Sequence, residues 1–254
     1  MAPRKAILLG PGKGSFMKTI LEKGIIFYQG KFQELDKLVI EKGKITEVVL
    51  ASAKAKKGKP APAPKKKSET SANVINCSDR YILPGFIDAH THISLEEEGV
   101  GYYDADYNES FGLATPQVRA FDALKMRDKA FNDALHGGVT TAMITPGSAN
   151  PIGGQCCIVK MVGNVAEAAV VKESSGMKFA FGENPKRVYG EQKKFPSTRM
   201  GTAAVIREWL MKAQDYLKRK KTKEFKEREI KLEAMLPLIE GKIQARAHAH
   251  MADD

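Results

Sequence analysis

The sequence predicts an α/β fold in which a small sheet of hairpins precedes a partial (β/α) barrel of about five strands. Three observations predict it. Between Met17 and Leu50, short β-rich runs are separated by turns at Lys23-Gly24, Gln29-Gly30 and Lys42-Gly43. From residue 81 onward, strand-like and helix-like stretches alternate, as an α/β barrel requires. Where that alternation begins, the run "YILPGFIDAHTHI" ends an apolar segment in two histidines one residue apart.

Composition sets the bounds. A chain of 254 residues with 43% hydrophobic residues can bury a real core. No apolar run approaches the ~20 residues of a membrane helix. Cys77, Cys156 and Cys157 form no disulfide framework, which fits a reducing, cytoplasmic setting. Residues 1–16 read as a basic leader, free of acids as organelle transit peptides are, but short of their Ser and Arg. Ten of the eleven excess positive charges fall in residues 1–18 and 51–72. The second stretch, "ASAKAKKGKPAPAPKKKSETSA", has no large apolar residue and is expected to be a disordered insert in a domain spanning 17–80. No aromatic residue interleaves its lysines, so the charge does not point to nucleic acid.

In the strand "FIDAHTHI", residues i and i+2 face one way, so His90 and His92 present both imidazoles on one side. That geometry suits a bidentate metal site at the C-terminal end of a strand, where parallel α/β folds gather ligands. The preceding Ile82, Leu83, Phe86 and Ile87, punctuated by Pro84 and Gly85, read as a buried strand.

"LPGFIDAHTHI" resembles the first-strand signature of the metal-dependent amidohydrolase superfamily, and "FGENPKR" resembles the version seen in its imidazolonepropionase-like members. Pro84, Gly85, Phe86, Ile87, Asp88, His90 and His92 match its pattern. The resemblance implies a TIM barrel over 81–254 beside part of a small β-sandwich, one or two divalent ions (zinc first, manganese or iron next) and His90 and His92 as ligands. It further implies hydrolysis of a C–N bond in an amide or cyclic amide by water that the metal activates.

The later segments are read in order. "TPQVRAFDALKMRDKAFNDALHGG" has apolar residues at helical spacing and ends at Gly137-Gly138, so a helix is expected, with His136 favoured by its C-terminal dipole. "VTTAMI" is the next strand. The glycine-rich "TPGSANPIGGQCCIVKM" is expected to be a loop on the ligand face, with Ser148, Asn150 and Gln155 as substrate contacts. Strand-like runs follow at Ala168 to Val171 and Met177 to Phe181, and Glu183 comes just past the second. By resemblance Glu183 is the first choice for a further metal ligand. A carbamate on Lys172 or Lys178 is the alternative, and pairing of Glu183 with Lys186 or Arg187 is the non-catalytic one. Arg187, Tyr189 and Arg199 are candidates for a substrate carboxylate. Residues from Pro196 through Tyr216 form an amphipathic helix.

"IQARAHAHMADD" reads as a fifth strand, and its "HAH" resembles the site where relatives offer a histidine to a second metal. His248 is then a ligand and His250 a substrate or supporting contact. The superfamily continues with three more strands that bring another histidine and the general-base aspartate, so no catalytic base is assigned here. Two functions are carried: an amidohydrolase acting on a small amide, or a truncated, non-catalytic homologue that binds a partner. Open barrel edges would favour a homo-oligomer or a completing chain.

Overall fold

The computed structural model describes residues 18–51, 72–223 and 225–253. The expectations for the leader and for nearly all of the lysine-rich insert lie outside them. The chain divides into two compact units, with the boundary between Gly85 and Phe86.

The first unit is a sheet built around one long strand. Its strands are β1 (Thr19–Glu22), β2 (Ile25–Tyr28), β3 (Lys31–Glu41), β4 (Lys44–Leu50), β5 (Asn73–Asn76) and β6 (Tyr81–Ile82). They run in the order β5-β1-β3-β2-β6, with β4 also paired to β3. Gln29-Gly30 and Lys42-Gly43 all have positive φ, the condition for two-residue hairpins whose twist matches the flanking strands. Leu21, Ile26, Leu35, Leu38 and Cys77 form its buried core.

The second unit holds the candidate site. Its strands are β7 (Phe86–Thr91), β8 (Val139–Ile144), β9 (Ile152–Lys160), β10 (Val170–Ala180) and β11 (Gln244–His248), in the order β11-β10-β9-β8-β7. The helices are α1 (Lys129–His136), α2 (Ala166–Ala169), α3 (Glu183–Glu191), α4 (Arg199–Lys220) and α5 (Ile230–Ile239).

Five strands are present, but they are not all parallel. β7 pairs with β8, and β10 with β11, in parallel. β9 runs antiparallel to both β8 and β10. The stretch expected to be a glycine-rich loop therefore supplies a central strand. Ile152, Cys156, Cys157 and Val159 in it are fully buried, and that burial outweighs the turn signals of Gly153 and Gly154.

The helix expected from Thr115 to His136 is also shorter than its periodicity suggested. Asp128 interrupts it: one carboxylate oxygen accepts from Ala130 N and caps α1, while the other accepts from Ser94 N. The upstream backbone is used elsewhere, since Val118 O accepts from Gln155 N on β9.

Two apolar clusters back this sheet. Ile152, Met177 and Phe179 meet Ile206, Ala213 and Tyr216 of α4 and Leu232, Met235 and Leu236 of α5. Ala142, Ile144, Cys157 and Val159 meet Phe131 of α1 with Leu95 and Met126. Helix α4 opens where Thr198 accepts from Gly201 N, a side-chain cap directly after the expected Pro196-Ser197 start. Among the described residues, no helix is long and apolar enough to cross a membrane.

Candidate functional site

His90 is the penultimate residue of β7 and His92 lies just past its end, so strand geometry sets both rings on one side, with centroids 5.5 Å apart. Lys178 of β10 places its Nζ 3.3 Å from His90 Nε2. The order of the sheet puts β10 three strands from β7, a separation of about 14 Å on a flat sheet. The sheet therefore curls, and its concave side brings these groups together.

The histidine tautomers follow from their partners. His92 Nδ1 lies 2.7 Å from the carbonyl oxygen of Thr145, which can only accept, so Nδ1 carries the proton and Nε2 keeps a free lone pair. His90 turns Nε2 toward the lysine amine, a donor, so that nitrogen is the lone-pair one as well. Burial first, then the charge of Lys178, holds the His90 imidazole below its ordinary value; burial also leads for His92, with Lys178 contributing. Both rings are thus kept neutral, the form that coordinates a metal.

Lys178 is fully buried, and burial depresses its pKa. A neutral amine there is a nucleophile.

His248 ends β11, close enough for its charge to act on His90. Its Nε2 lies 3.2 Å from His250 Nε2 and 3.3 Å from Asn184 Nδ2, and Asn184 donates to Ser148 Oγ at 2.6 Å. Glu183, at the first turn of α3, bonds to Arg187 at 3.0 Å and stands 3.8 Å from His250. The structure thus puts Lys178, the alternative reading, at His90, and puts Glu183 beside His250.

Several expected substrate contacts hold the scaffold instead. Asn150 is 1% exposed, and its amide nitrogen donates to Glu109 O, Gly112 O and Thr115 Oγ1. Gln155 sits on β9 and donates to Pro116 O. Tyr189 is buried on α3 with its hydroxyl bonded to Gly112 O. These groups face protein carbonyls, which makes them ties between loops. Arg187 is exposed and paired with Glu183 and Glu191, and Arg199 begins α4.

Sequence reasoning missed Tyr107, whose ring centroid is 6.0 Å from that of His92, and Asn184. Asn184 was adjacent to a chosen residue, and its position in the first turn of a helix that follows a strand was the available signal. Tyr107 carried none, since it belongs to a long excursion between β7 and α1.

Among the described residues, no three His, Cys, Asp or Glu side chains converge to hold a metal. The claw has two imidazoles, and the group facing it is an amine.

The curled α/β sheet thus carries paired histidines and a buried lysine on its concave side. No family model matches the chain. It is similar to a crystal structure of an amidohydrolase from Thermotoga maritima MSB8, with 41% identity and a TM-score of 0.78, over 92% of this chain and 59% of that one. It is also similar to the amidohydrolase tasK of Hapsidospora irregularis, 28% identical over 208 residues, which covers 72% of this chain and 21% of the relative. The chain thus spans about three fifths of the one and a fifth of the other. Both relatives are named amidohydrolases, and an amidohydrolase family is what they support for this chain.

Proposed function

We propose that the chain carries the metal-holding part of an amidohydrolase that cleaves a C–N bond of an amide or cyclic amide. The observation that supports this most is the buried Lys178 amine 3.3 Å from His90 Nε2, beside a His92 whose Nε2 is left free by Thr145.

In this reading His90, His92 and His248 offer imidazole nitrogens, and Lys178 offers oxygens after reaction with carbon dioxide. The amine lone pair forms the new N–C bond, one C–O π pair moves to oxygen, and the amine proton leaves to water. The product is a carbamate, an anionic oxygen ligand in place of an amine. A divalent ion, zinc first by ligand type, would supply Lewis acidity toward the carbonyl and acidify water.

The chain's own side chains then orient. Thr145 O fixes the His92 tautomer. Ser148 and Asn184, linked to each other at 2.6 Å, set a polar rim beside His248, and the Asn184 carboxamide oxygen is free to accept a substrate N–H. His250, between His248 and the Glu183 carboxylate, is placed to exchange a proton at Nε2.

The test is metal content and carbamate signal on the purified chain. Wild type incubated with a divalent salt and 13C-bicarbonate should hold metal stoichiometrically and show a carbamate resonance. Lys178→Ala should lose both, and His90→Ala with His92→Ala should lose the metal. Unchanged metal content in those variants removes the reading.

A further inference from the structure

We infer that the amide accepted by this site carries a cation, an alkyl guanidinium or ammonium, received by the Glu96 carboxylate and the exposed rings of Tyr102 and Tyr103. This rests on the amide-hydrolysing reading for the bond that is cleaved, and adds the group that stands beside it.

The loop that follows the histidine pair differs in charge from the rest of the chain. Residues 92–114 hold six carboxylates and no Lys or Arg, in a protein whose formal net charge is +11. Leu95 N donates to His92 O at 3.1 Å and Asp106 N to Leu95 O at 2.7 Å, so the loop leaves the histidine and returns to it. The ring of Tyr107, 6.0 Å from that of His92, marks the return. Glu96 stands just past the first turn, bridged to Ile93, and its charge reaches the His92 ring. Its carboxylate makes no hydrogen bond or ion pair among the described residues. An anion that the fold does not use, this close to the histidines, is open to a cation from solution.

The tip of the loop is anchored. Tyr102 and Tyr103 lie on the 3-10 turn Gly101–Asp104 and are 96% and 94% exposed. Asp104 at the end of that turn is buried, accepts from Glu97 N at 2.7 Å and pairs with Lys125. The anchor holds two rings in water, where their apolar faces gain nothing from the fold. Such faces attract a cation through the ring quadrupole, and a guanidinium also stacks on them. Carboxylate and rings therefore favour one chemistry. An anionic substituent would be repelled by the six acids, and a neutral one would leave Glu96 unpaired.

The test is calorimetric binding at low salt to the full chain after chelator treatment, so that it does not depend on metal. The probes are Nα-acetyl-arginine methylamide and its neutral isostere, Nα-acetyl-citrulline methylamide. The arginine probe should bind wild type at least about tenfold more tightly, an advantage that falls as salt is added. Glu96→Gln should remove most of that advantage, and Glu96→Asp should keep part of it. Tyr102→Ala with Tyr103→Ala should weaken the arginine probe by about three- to tenfold and leave the citrulline probe unchanged. Unfolding midpoints should not move in these variants, so that a lost preference reads the contact and not the fold. Equal binding of the two probes to wild type, an undiminished preference in Glu96→Gln, or binding of an oligolysine peptide in place of the arginine probe each overturns the proposal. An intact preference in a chain that takes up neither metal nor carbon dioxide would sink the metal reading alone.

Discussion

Replacing Asn150 by Asp changes one NH2 into an oxygen and nearly nothing in volume, which makes it a clean test of what this side chain does. In the folded protein its nitrogen lies 2.9 Å from Glu109 O, 3.0 Å from Gly112 O and 2.9 Å from Thr115 Oγ1. An aspartate at 1% exposure would point an acceptor at two carbonyls and a hydroxyl that already donates to Ile152 O. Glu109 O then loses this donor, Gly112 O keeps only the Tyr189 hydroxyl, and the acid must lie buried without a cation or take up a proton, the larger cost. The sum is a destabilisation of about 3–5 kcal/mol, with Asn150→Ala at about 2–4 kcal/mol because it adds no repulsion. Urea unfolding followed by tryptophan fluorescence measures both, through Trp209. A loss below about 1 kcal/mol for the Asp variant, with a selective loss of substrate affinity, would refute this scaffold reading and restore Asn150 as a substrate contact.

Three further outcomes are expected. Gly147→Ala would put a methyl 2.7 Å from Asn108 Cγ and 2.8 Å from Tyr107 Cδ2, so it should cost about 2–4 kcal/mol and disturb the Tyr107–His92 contact; Asn108→Ala in the same chain should recover part of the loss. Lys178→Met in chelator-treated protein should raise stability by about 1–3 kcal/mol near neutral pH. Burial holds the Lys178 pKa below 10.5, so the unfolded chain binds more protons between the folded value and 10.5. Wild-type stability therefore rises with pH across that window, and the advantage of the Met variant should shrink toward zero by its upper end. Cys156 and Cys157, fully buried and pushed up to about 12, should resist iodoacetamide at mildly alkaline pH in the native protein and react once guanidinium unfolds it.

The parts legible in the sequence were those with local causes. The hairpin turns were readable because positive φ at Gln29-Gly30 and Lys42-Gly43 is a property of two residues. The facing imidazoles of His90 and His92 follow from strand periodicity alone. Lys178 could be named only as an alternative, because its meaning depends on a curl that closes the distance to β7 across two intervening strands. The central strand β9 was hidden, since Pro151, Gly153 and Gly154 announce a turn and only burial between two neighbours overrides them. The bonds that Asn150, Gln155 and Tyr189 make to the scaffold were hidden for a related reason. A polar group that serves a loop carbonyl looks, in one dimension, like one that serves a ligand.

The reversed course of β9 bears on the order in which the second unit assembles. β8, β9 and β10 form a meander joined by the short connections 145–151 and 161–169, whereas β7 reaches β8, and β10 reaches β11, only after the long excursions 92–138 and 181–243. Loop closure is cheaper for the near neighbours, so the meander should gather first and the parallel partners later. Pulse-labelled hydrogen exchange during refolding should protect β8 to β10 amides ahead of those at the β7 and β11 contacts, and simultaneous protection would contradict this order. On a ribosome, the strand that bears Lys178 would then be seated in a preformed meander before the histidine of β11 is synthesised.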